Sequence, residues 1–305
     1  MLRYIAILLI FTLLLASCQS DDPSTYSSRL RVSLTDFTDF SARVGAREIF
    51  IDIRRIEIAV TEPAPREIGA RATEEWIVLD FSGGEFEVME LNNGRTQQIL
   101  DQWTPANRTI IAVKVVFGNN SRVVGVDHRH TPIHIPDEFR EGAVFEMVTP
   151  LYTNTVTSII IELNTFFSET DGRLYLNPIW LRAFPEATTT TLRGVVLPSE
   201  ILTIVSVSNK EGKELFVVPE FVWEGRNNGR FEILGVSAGD WTVHIKPLDP
   251  QSPFSDITFV HNIEFDARRR VSEIGTIRLE VTPEDPEEPE ESEEEEPEEE
   301  DEETP

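Results

Sequence analysis

The 305-residue chain contains 54 acidic and 27 basic residues, and its formal net charge is −27. Sixteen of the acidic residues lie between Glu284 and Glu303, so the rest of the chain carries only 11 of these net negative charges. No basic patch accompanies this charge, which argues against a nucleic-acid partner. A single cysteine, Cys18, leaves no partner for an internal disulfide.

The first 17 residues have the pattern of a cleavable secretory signal. Arg3 supplies a basic start, and an apolar run extends from Ile5 to Leu15. A bilayer-spanning helix needs about 20 apolar residues, so this run is too short to be one. A basic start, a short apolar run and small residues at its end are typical of a signal peptide. We therefore predict a signal peptide over residues 1–17.

The end of that run, Leu15-Ala16-Ser17-Cys18, resembles the lipobox of bacterial lipoproteins at every position. The resemblance implies that the Cys18 thiol accepts a diacylglycerol and that cleavage leaves Cys18 as the new N-terminus. The alternative is an ordinary signal followed by an incidental cysteine. Lipidation explains better why the chain's only cysteine stands at the cleavage point. It predicts a membrane partner, held through the lipid on Cys18.

Directly after Cys18 come Gln19, Ser20, Asp21 and Asp22. This acidic stretch resembles the export signal of Bacteroidetes lipoproteins that reach the outer face of the outer membrane. The resemblance implies an outer-membrane protein that faces the cell exterior, with residues 18–27 as its tether. The alternative is the periplasmic face, because acidic, Ser-rich tethers are common.

The body of the chain shows period-two alternation of β-branched and aromatic residues, interrupted by Gly, Pro, Asn and Asp. The fold class predicted is all-β, with two antiparallel β-sandwich domains in tandem. We expect one domain over residues 28–187 and a second over 188–281, with the seam in the polar stretch Glu186 to Thr191. Residues 282–305 are too acidic to bury apolar surface and are predicted to form a disordered tail.

The first predicted strand carries Leu30, Val32 and Leu34 on one face. The second predicted strand changes phase, because Ile49, Ile51 and Ile53 fall on odd positions whereas Ile56, Ile58 and Val60 fall on even ones. A bulge at Arg54-Arg55 is therefore predicted, since otherwise one set of side chains would face water. Further strands are predicted at 76–81, 86–91, 109–117, 122–126, 143–148, 158–163 and 173–181, with Gly118 to Ser121 turning between the strands on either side of it.

Several of these strands resemble a family of bacterial lipoproteins, the domain of unknown function 4382. The matching segments are Leu30-Arg-Val-Ser-Leu-Thr-Asp36, Ile56-Glu57-Ile58, Trp76-Ile-Val-Leu79 and Tyr175-Leu-Asn-Pro-Ile-Trp-Leu-Arg182. They cover roughly residues 28 to 184. Phe37 departs from the family, which usually has a small residue and then proline there. The resemblance implies a fold and a compartment but no activity.

The second half resembles the carboxypeptidase-regulatory-like, or prealbumin-like, sandwich. The segment Gly229-Arg-Phe-Glu-Ile-Leu-Gly-Val-Ser-Ala-Gly-Asp-Trp-Thr-Val-His-Ile245 carries the likeness, with Leu192 to Val196 and Ile274 to Leu279 as flanking strands. The resemblance implies a central hairpin that turns at Gly239, and a spacer or binding role. Its inward side chains would be Phe231, Ile233, Trp241, Val243 and Ile245.

Two patterns that suggest catalysis have simpler explanations. Gly235-Val-Ser237-Ala-Gly239 matches a hydrolase nucleophile elbow, but a strand pattern follows it where the elbow needs a helix. Asp36 and Asp39 lie in a loop, where Asp commonly bonds to nearby backbone, and no complete calcium loop is present. We predict no catalytic residue, no enzymatic activity and no cofactor.

His128, His130 and His134 are three of the chain's five histidines and lie on or beside a predicted strand. Three imidazoles on one face could ligate zinc, copper or haem iron. Pro132 interrupts the strand and Pro136 follows it, which favours an exposed polar edge. Both interpretations stay open at this point.

The function expected is non-enzymatic binding of a glycan or a surface protein. Its candidate aromatic contacts are Trp103, Trp180 and Trp223. One alternative is a structural or adhesin subunit resembling fimbrial lipoproteins, which would need an unpaired edge strand. A second alternative is metal or haem binding through the three histidines. The sequence predicts neither the ligand nor the oligomeric state.

Overall fold

A computed structural model describes residues 27–37, 45–62, 74–178, 181–220 and 228–281. The predicted signal peptide, the lipobox with Cys18, the export signal and the acidic tail lie outside these ranges. Regular structure within the ranges consists of strands and a few short 3-10 helices, so the predicted all-β class is confirmed.

Two groups of strands follow one another along the chain. The strands of the first unit are β1 (Ser27–Thr35), β2 (Ala46–Thr61), β3 (Glu74–Val78), β4 (Gly84–Glu87), β5 (Gln97–Pro105), β6 (Arg108–Phe117), β7 (Arg122–Gly125), β8 (His130–His134), β9 (Ala143–Leu151), β10 (Val156–Glu162), β11 (Phe167–Thr170), β12 (Arg173–Leu176) and β13 (Arg182–Pro185). Those of the second unit are β14 (Thr190–Leu197), β15 (Thr203–Asn209), β16 (Glu214–Val217), β17 (Arg230–Val236), β18 (Gly239–Pro247), β19 (Ile257–Ile263) and β20 (Val271–Arg278).

The first unit is a sandwich of two sheets. Its small sheet has the order β13-β10-β1-β5. In its large sheet, hydrogen-bonded pairs connect β11-β12-β8-β7-β2-β6-β9, and β3 and β4 also pair with β2. Alternate residues of β1 and β2 bury their side chains in one core between the sheets. Most pairs are antiparallel, as predicted, but β1 pairs with β10 and β8 with β12 in parallel.

The bulge predicted in β2 is confirmed. Ile49, Ile53, Ile56 and Ile58 are all fully buried, so both phases of the strand face the core. The pairing of β2 with β6 shifts register between Ile53 and Arg55, which makes Arg54 the extra residue. One continuous strand therefore buries the alternating apolar side chains on both sides of Arg54.

The partners of β2 are interrupted where the strand bulges. Along one edge, β6 pairs with the second half of β2 and β7 with its first half. Along the other edge, β3 pairs with the residues of β2 after the bulge and β4 with the residues before it. The expectation that residues 118–121 form a hairpin between paired strands is therefore wrong, because β6 and β7 pair with β2 and not with each other.

Two predicted strands end early, and others were not predicted. The strand expected over residues 86–91 gives way to a 3-10 helix at Val88–Leu91, because the Glu87 carboxylate accepts hydrogen bonds from the backbone of Met89 and Glu90. The strand expected to reach residue 181 ends at Leu176, two residues before Pro178. Strands β5 and β11 were missed because they carry few alternating apolar residues.

The second unit is also a sandwich, with sheets ordered β17-β14-β20 and β16-β15-β18-β19. The five predicted inward side chains are confirmed, since each is at most 3% exposed: Phe231, Ile233, Trp241, Val243 and Ile245. The predicted central hairpin is wrong, because β17 and β18 belong to different sheets and the turn between them crosses the sandwich. The strand expected after Ser237 is present as β18, and the Ser237 carbonyl oxygen accepts a hydrogen bond from Trp241 Nε1 at 3.0 Å.

Direct hydrogen bonds join the two units. Arg182 of β13 pairs with Glu162 of β10 and donates to the carbonyl oxygens of Leu234 at 2.7 Å and Gly235 at 3.3 Å. Asn93 adds a second link: its Oδ1 accepts from the Glu232 backbone at 2.7 Å, and its Nδ2 donates to a carbonyl oxygen of the same strand. Because these bonds reach β17 at several positions between Arg230 and Gly235, they restrain the second unit relative to the first.

Glu57 on β2 gives the first unit a testable pH dependence. Its carboxylate lies 2.6 Å from Arg55 Nε and 2.7 Å from Lys114 Nζ. Burial alone would raise the pKa of Glu57, but the hydrogen bonds from Lys114 and Arg55 outweigh it and hold the pKa below its ordinary value. A depressed carboxyl pKa adds stability above the unfolded pKa and loses it as the pH falls through the folded pKa.

We therefore expect Glu57→Gln to lower the midpoint of thermal unfolding at pH 7 and to leave it nearly unchanged near pH 3. Circular dichroism melts across this pH range measure the difference. Glu48→Gln is the matched control, because Glu48 lies on the same strand, its side chain is 38% exposed, and its carboxylate is 3.6 Å from Arg47 Nε, too far for a hydrogen bond. An equal midpoint for Glu57→Gln and the unaltered chain at pH 7 would contradict this account.

Candidate functional site

A cleft with a volume of about 770 Å³ opens where β2 bulges. We call it the bend cleft. Its walls come from the bulge, from the loops that interrupt both edges of β2, and from the end of β8. The lining residues are Asp52 to Arg54, Ser82 to Gly84, Val116 to Asn120, Ile133 to Ile135, and Arg140.

One wall of the bend cleft is built from Asp52 and the loop after β6. The Gly118 backbone N–H donates to the Asp52 carbonyl oxygen at 2.8 Å. The Asn120 N–H donates to Asp52 Oδ2 at 3.0 Å, and the Asp52 N–H donates to Ser121 Oγ at 2.9 Å. A Cβ at position 118 would collide with Asp52 Oδ2, so a larger residue would have to displace the Asp52 carboxylate. The loop is thereby fixed on the strand, and the side chains of Asn119 and Asn120 stay exposed at the rim.

The opposite wall depends on Gly83. This residue has a φ of +75°, and a Cβ built on it would lie 3.2 Å from the Ile53 carbonyl oxygen. The loop between β3 and β4 can therefore approach the bulge closely. Arg54 lies between the two walls with an exposed side chain. The bulge that the core requires thus also presents a cation inside the cleft.

The bend cleft offers mainly polar contacts. Exposed Arg54 and Arg140 supply guanidinium donors, and Asn119 and Asn120 supply amide donors and acceptors. Arg140 also pairs with Asp137 at 2.6 Å. The set matches a ligand rich in hydroxyl groups or carrying a negative charge.

The three candidate metal-binding histidines are not brought together. His128 lies before β8 in a turn with a φ of +62°, and its ring is 3.0 Å from Arg47 Nη1. His134, at the other end of β8, lines the bend cleft and packs against the ring of Tyr175 at 5.5 Å. Within the described ranges, no group of three or more His, Cys, Asp or Glu could hold a metal ion. The three histidines therefore do not form a single metal-binding face, one of the two interpretations of the sequence, because His128 lies outside the strand.

The remaining candidates divide between structural roles and exposed positions. Asp36 is buried and accepts hydrogen bonds from the Thr165 N–H at 3.1 Å and Oγ1 at 2.7 Å, so it anchors a loop. Trp103 is 51% exposed on β5, an edge strand of the small sheet. Asp39, Trp180 and Trp223 lie outside the described residues.

The sequence pointed to several residues of the bend cleft but did not predict that they border the same cleft. The bulge at Arg54, the loop from Gly118 and His134 were each singled out for a separate reason. Gly83 and Arg140 were missed; Ser82-Gly83-Gly84 is a turn signal that could have drawn attention to the first of them.

Comparison with known proteins finds only distant structural likeness. No known protein family matches the chain. No curated protein matches it either. Three solved structures with weak similarity are the TIE protein of Bacillus anthracis (9% identity, TM-score 0.20), the major pilin BcpA of Bacillus cereus (8%, 0.25) and the minor pilin GBS52 of Streptococcus agalactiae (10%, 0.21).

These alignments cover 84%, 84% and 85% of this chain, and 34%, 71% and 98% of the respective structures. The chain thus spans about a third of the first of them. In the ranges that the structure describes, no helix has the length and apolar character needed to cross a membrane.

Gly118→Ala tests the geometry of the bend cleft. The added methyl group has to displace the Asp52 carboxylate, so we expect a loss of about 1–3 kcal/mol in the free energy of unfolding. Urea unfolding measures the change. Gly84→Ala is the control, because a Cβ there would make ordinary contact with the Phe86 ring at 3.5 Å. Equal losses for the two variants would show that the Asp52 contact does not shape the loop.

Proposed function

We propose that the chain is a lipid-anchored, non-enzymatic surface protein that binds a glycan in the bend cleft. The observation that carries the proposal is the cleft itself, which is wide, polar and bounded by two loops fixed on one strand. Its volume lies within the range of about 300–1,000 Å³ that is common for ligand sites. Hydroxyl-rich ligands suit such a site because each hydroxyl can both donate and accept hydrogen bonds.

The proposed ligand contacts are exposed side chains at the rim of the cleft. Arg54, Asn119 and Asn120 are available from the bulge and its neighbouring loop, and His134 from the end of β8. The wall beneath them is held by backbone hydrogen bonds to Asp52, so little ordering is needed on binding. A preformed polar site of this kind favours a ligand that is recognised by several hydrogen bonds.

The anchor proposed is the lipid on Cys18, supported by the lipobox over Leu15 to Cys18. Several buried acyl chains give stable membrane attachment where a single chain is marginal. Gln19 to Asp22 support the outer face of the outer membrane, with the periplasmic face as the alternative. Protease added to intact cells tests the choice, and complete protection of the protein would contradict surface display.

The same proposal gives the second unit the role of a spacer. Its resemblance to prealbumin-like modules is the reason, and the links through Arg182 and Asn93 support it, because they limit rotation between the units. The first unit would then be a lipoprotein module of the type that domain of unknown function 4382 represents.

A structural or adhesin subunit is the second candidate. Strand β19 pairs with β18 alone among the described strands, and Val260 on it is 66% exposed. An edge strand of this kind can pair with a strand of another chain. A subunit of an assembly would form higher oligomers.

A glycan array followed by thermal shift on the mature chain with Cys18→Ala separates these candidates. A glycan at 100 times its Kd should stabilise the protein by about 2.7 kcal/mol. We expect Arg54→Ala and His134→Ala to weaken that binding at least tenfold. His130→Ala is the matched control, because His130 lies on the same strand but does not line the bend cleft.

Binding that survives both cleft substitutions would contradict the proposed site. If no glycan on the array binds and light scattering detects oligomers, the structural role would be favoured instead.

A further inference from the structure

The outer face of the small sheet is divided into a covered half and an open half. Along β1, Leu30 and Val32 point into the core, so Arg29, Arg31 and Ser33 point outward. Residues that pair across neighbouring strands point to the same face of the sheet. Each outward residue of β1 therefore belongs to a row of outward residues that crosses the sheet, and the strand register identifies the members of that row.

The half near the end of β1 is covered by the second unit. Ile160 and Phe184 are buried there, and a Cβ at Gly235 would lie 2.7 Å from the Phe184 ring. Arg182, which is paired with Glu162, also lies in this half and donates hydrogen bonds to the second unit. The contact explains why apolar side chains occur on an outer face at this end.

The half near the start of β1 carries apolar side chains that nothing among the described residues covers. Trp103 and Val156 both pair with Arg29, one from each neighbouring strand, and they are 51% and 50% exposed. Tyr152, in the loop before β10, is 62% exposed. The same loop is tied to the start of β1, because the Asn154 N–H donates to a carbonyl oxygen of β1 at 2.9 Å. We call Trp103, Tyr152, Val156, Arg29 and Arg31 the open face.

The open face is locally positive on a chain of strongly negative charge. Arg29 donates two hydrogen bonds to Asp101, at 2.5 and 2.9 Å, and Arg31 donates one at 3.2 Å. The hydrogen bond from Arg29 also lowers the pKa of the Asp101 carboxyl. Two cations share one carboxylate, which leaves a net charge of about +1 where the apolar side chains are exposed.

The position of the tether indicates what the open face contacts. Strand β1 begins at Ser27, nine residues after Cys18. Nine residues span at most about 30 Å when fully extended, so the first unit is held close to any bilayer that contains the Cys18 lipid. The open face lies at this same end of β1.

We propose that the open face rests on the membrane surface to which Cys18 anchors the chain. Trp103 and Tyr152 lie at the level of the lipid headgroups, where the amphipathic rings of Trp and Tyr are favoured. Arg29 and Arg31 face the lipid phosphates. This inference depends on the proposed lipidation of Cys18.

The bend cleft lies at the other end of the first unit from the open face. Pro105 pairs with Ser27, so the turn before β6 lies at the membrane end of the first unit. Phe117, which lines the cleft, is nine residues further along β6 than Arg108. At about 3.4 Å per residue, the cleft lies roughly 30 Å along β6 from the end of the first unit that carries the open face.

Tryptophan quenching by brominated lipids tests this placement on the full mature chain, acylated at Cys18 and reconstituted in vesicles of phosphatidylethanolamine and phosphatidylglycerol. Brominated acyl chains should quench part of the fluorescence, and Trp103→Phe should remove more than half of that quenched part. Trp76→Phe is the matched control, because Trp76 is 36% exposed on the large sheet and should leave the quenching unchanged.

Mass spectrometry of the mature N-terminus separates the possible failures. An acylated, vesicle-bound chain whose quenching is the same with and without Trp103 would overturn the membrane placement and leave the anchor standing. A mature chain without acyl groups on Cys18 would overturn both.

Discussion

Strand β2 has to bury two sets of side chains that are out of phase, and the rest of the first unit depends on how it does so. Burial of an Ile or Val side chain contributes about 1.5–3 kcal/mol, so exposure of either set would cost more than a small domain can lose. One extra residue, Arg54, brings both sets to the same face. The energetic demand of the core therefore produces the irregularity at the centre of the large sheet.

The bend cleft follows from that irregularity. The partners of β2 change near the bulge, so that β6 and β7 are separate segments on one edge of β2 and β3 and β4 on the other. Gly118 and Gly83 allow the intervening loops to approach the strand closely. The feature that stabilises the core thus also creates a polar opening lined by Arg54.

The small sheet organises the other side of the first unit. Its outer face supports the second unit at one end, through Arg182 and Phe184, and remains open at the end where the tether begins. The ion pair with Glu162 orients the Arg182 guanidinium, and its hydrogen bonds to the Leu234 and Gly235 carbonyl oxygens make the junction a restraint and not a loose linker. The cleft, the spacer and the proposed membrane contact therefore have fixed relative positions.

Periodicity predicted much of this fold. It gave the strands with clear alternation and the bulge at Arg54-Arg55, because side-chain alternation reports directly which face is buried. The inward residues of the second unit came from the resemblance to prealbumin-like sandwiches. It could not give strand partners, since the parallel pair of β1 and β10 joins residues more than 120 positions apart. For the same reason, the sequence alone could not show that the bulge, the loop from Gly118 and His134 border one cleft.

Deletion of Arg54 tests the central claim most directly. The account predicts that a chain lacking Arg54 cannot bury both halves of β2 and loses cooperative thermal unfolding, whereas Arg54→Ala, which keeps the residue count, unfolds near the original temperature. Circular dichroism melts of the two variants decide the matter. A deletion variant that unfolds cooperatively at the original midpoint would show that the bulge is not required, and would contradict the account.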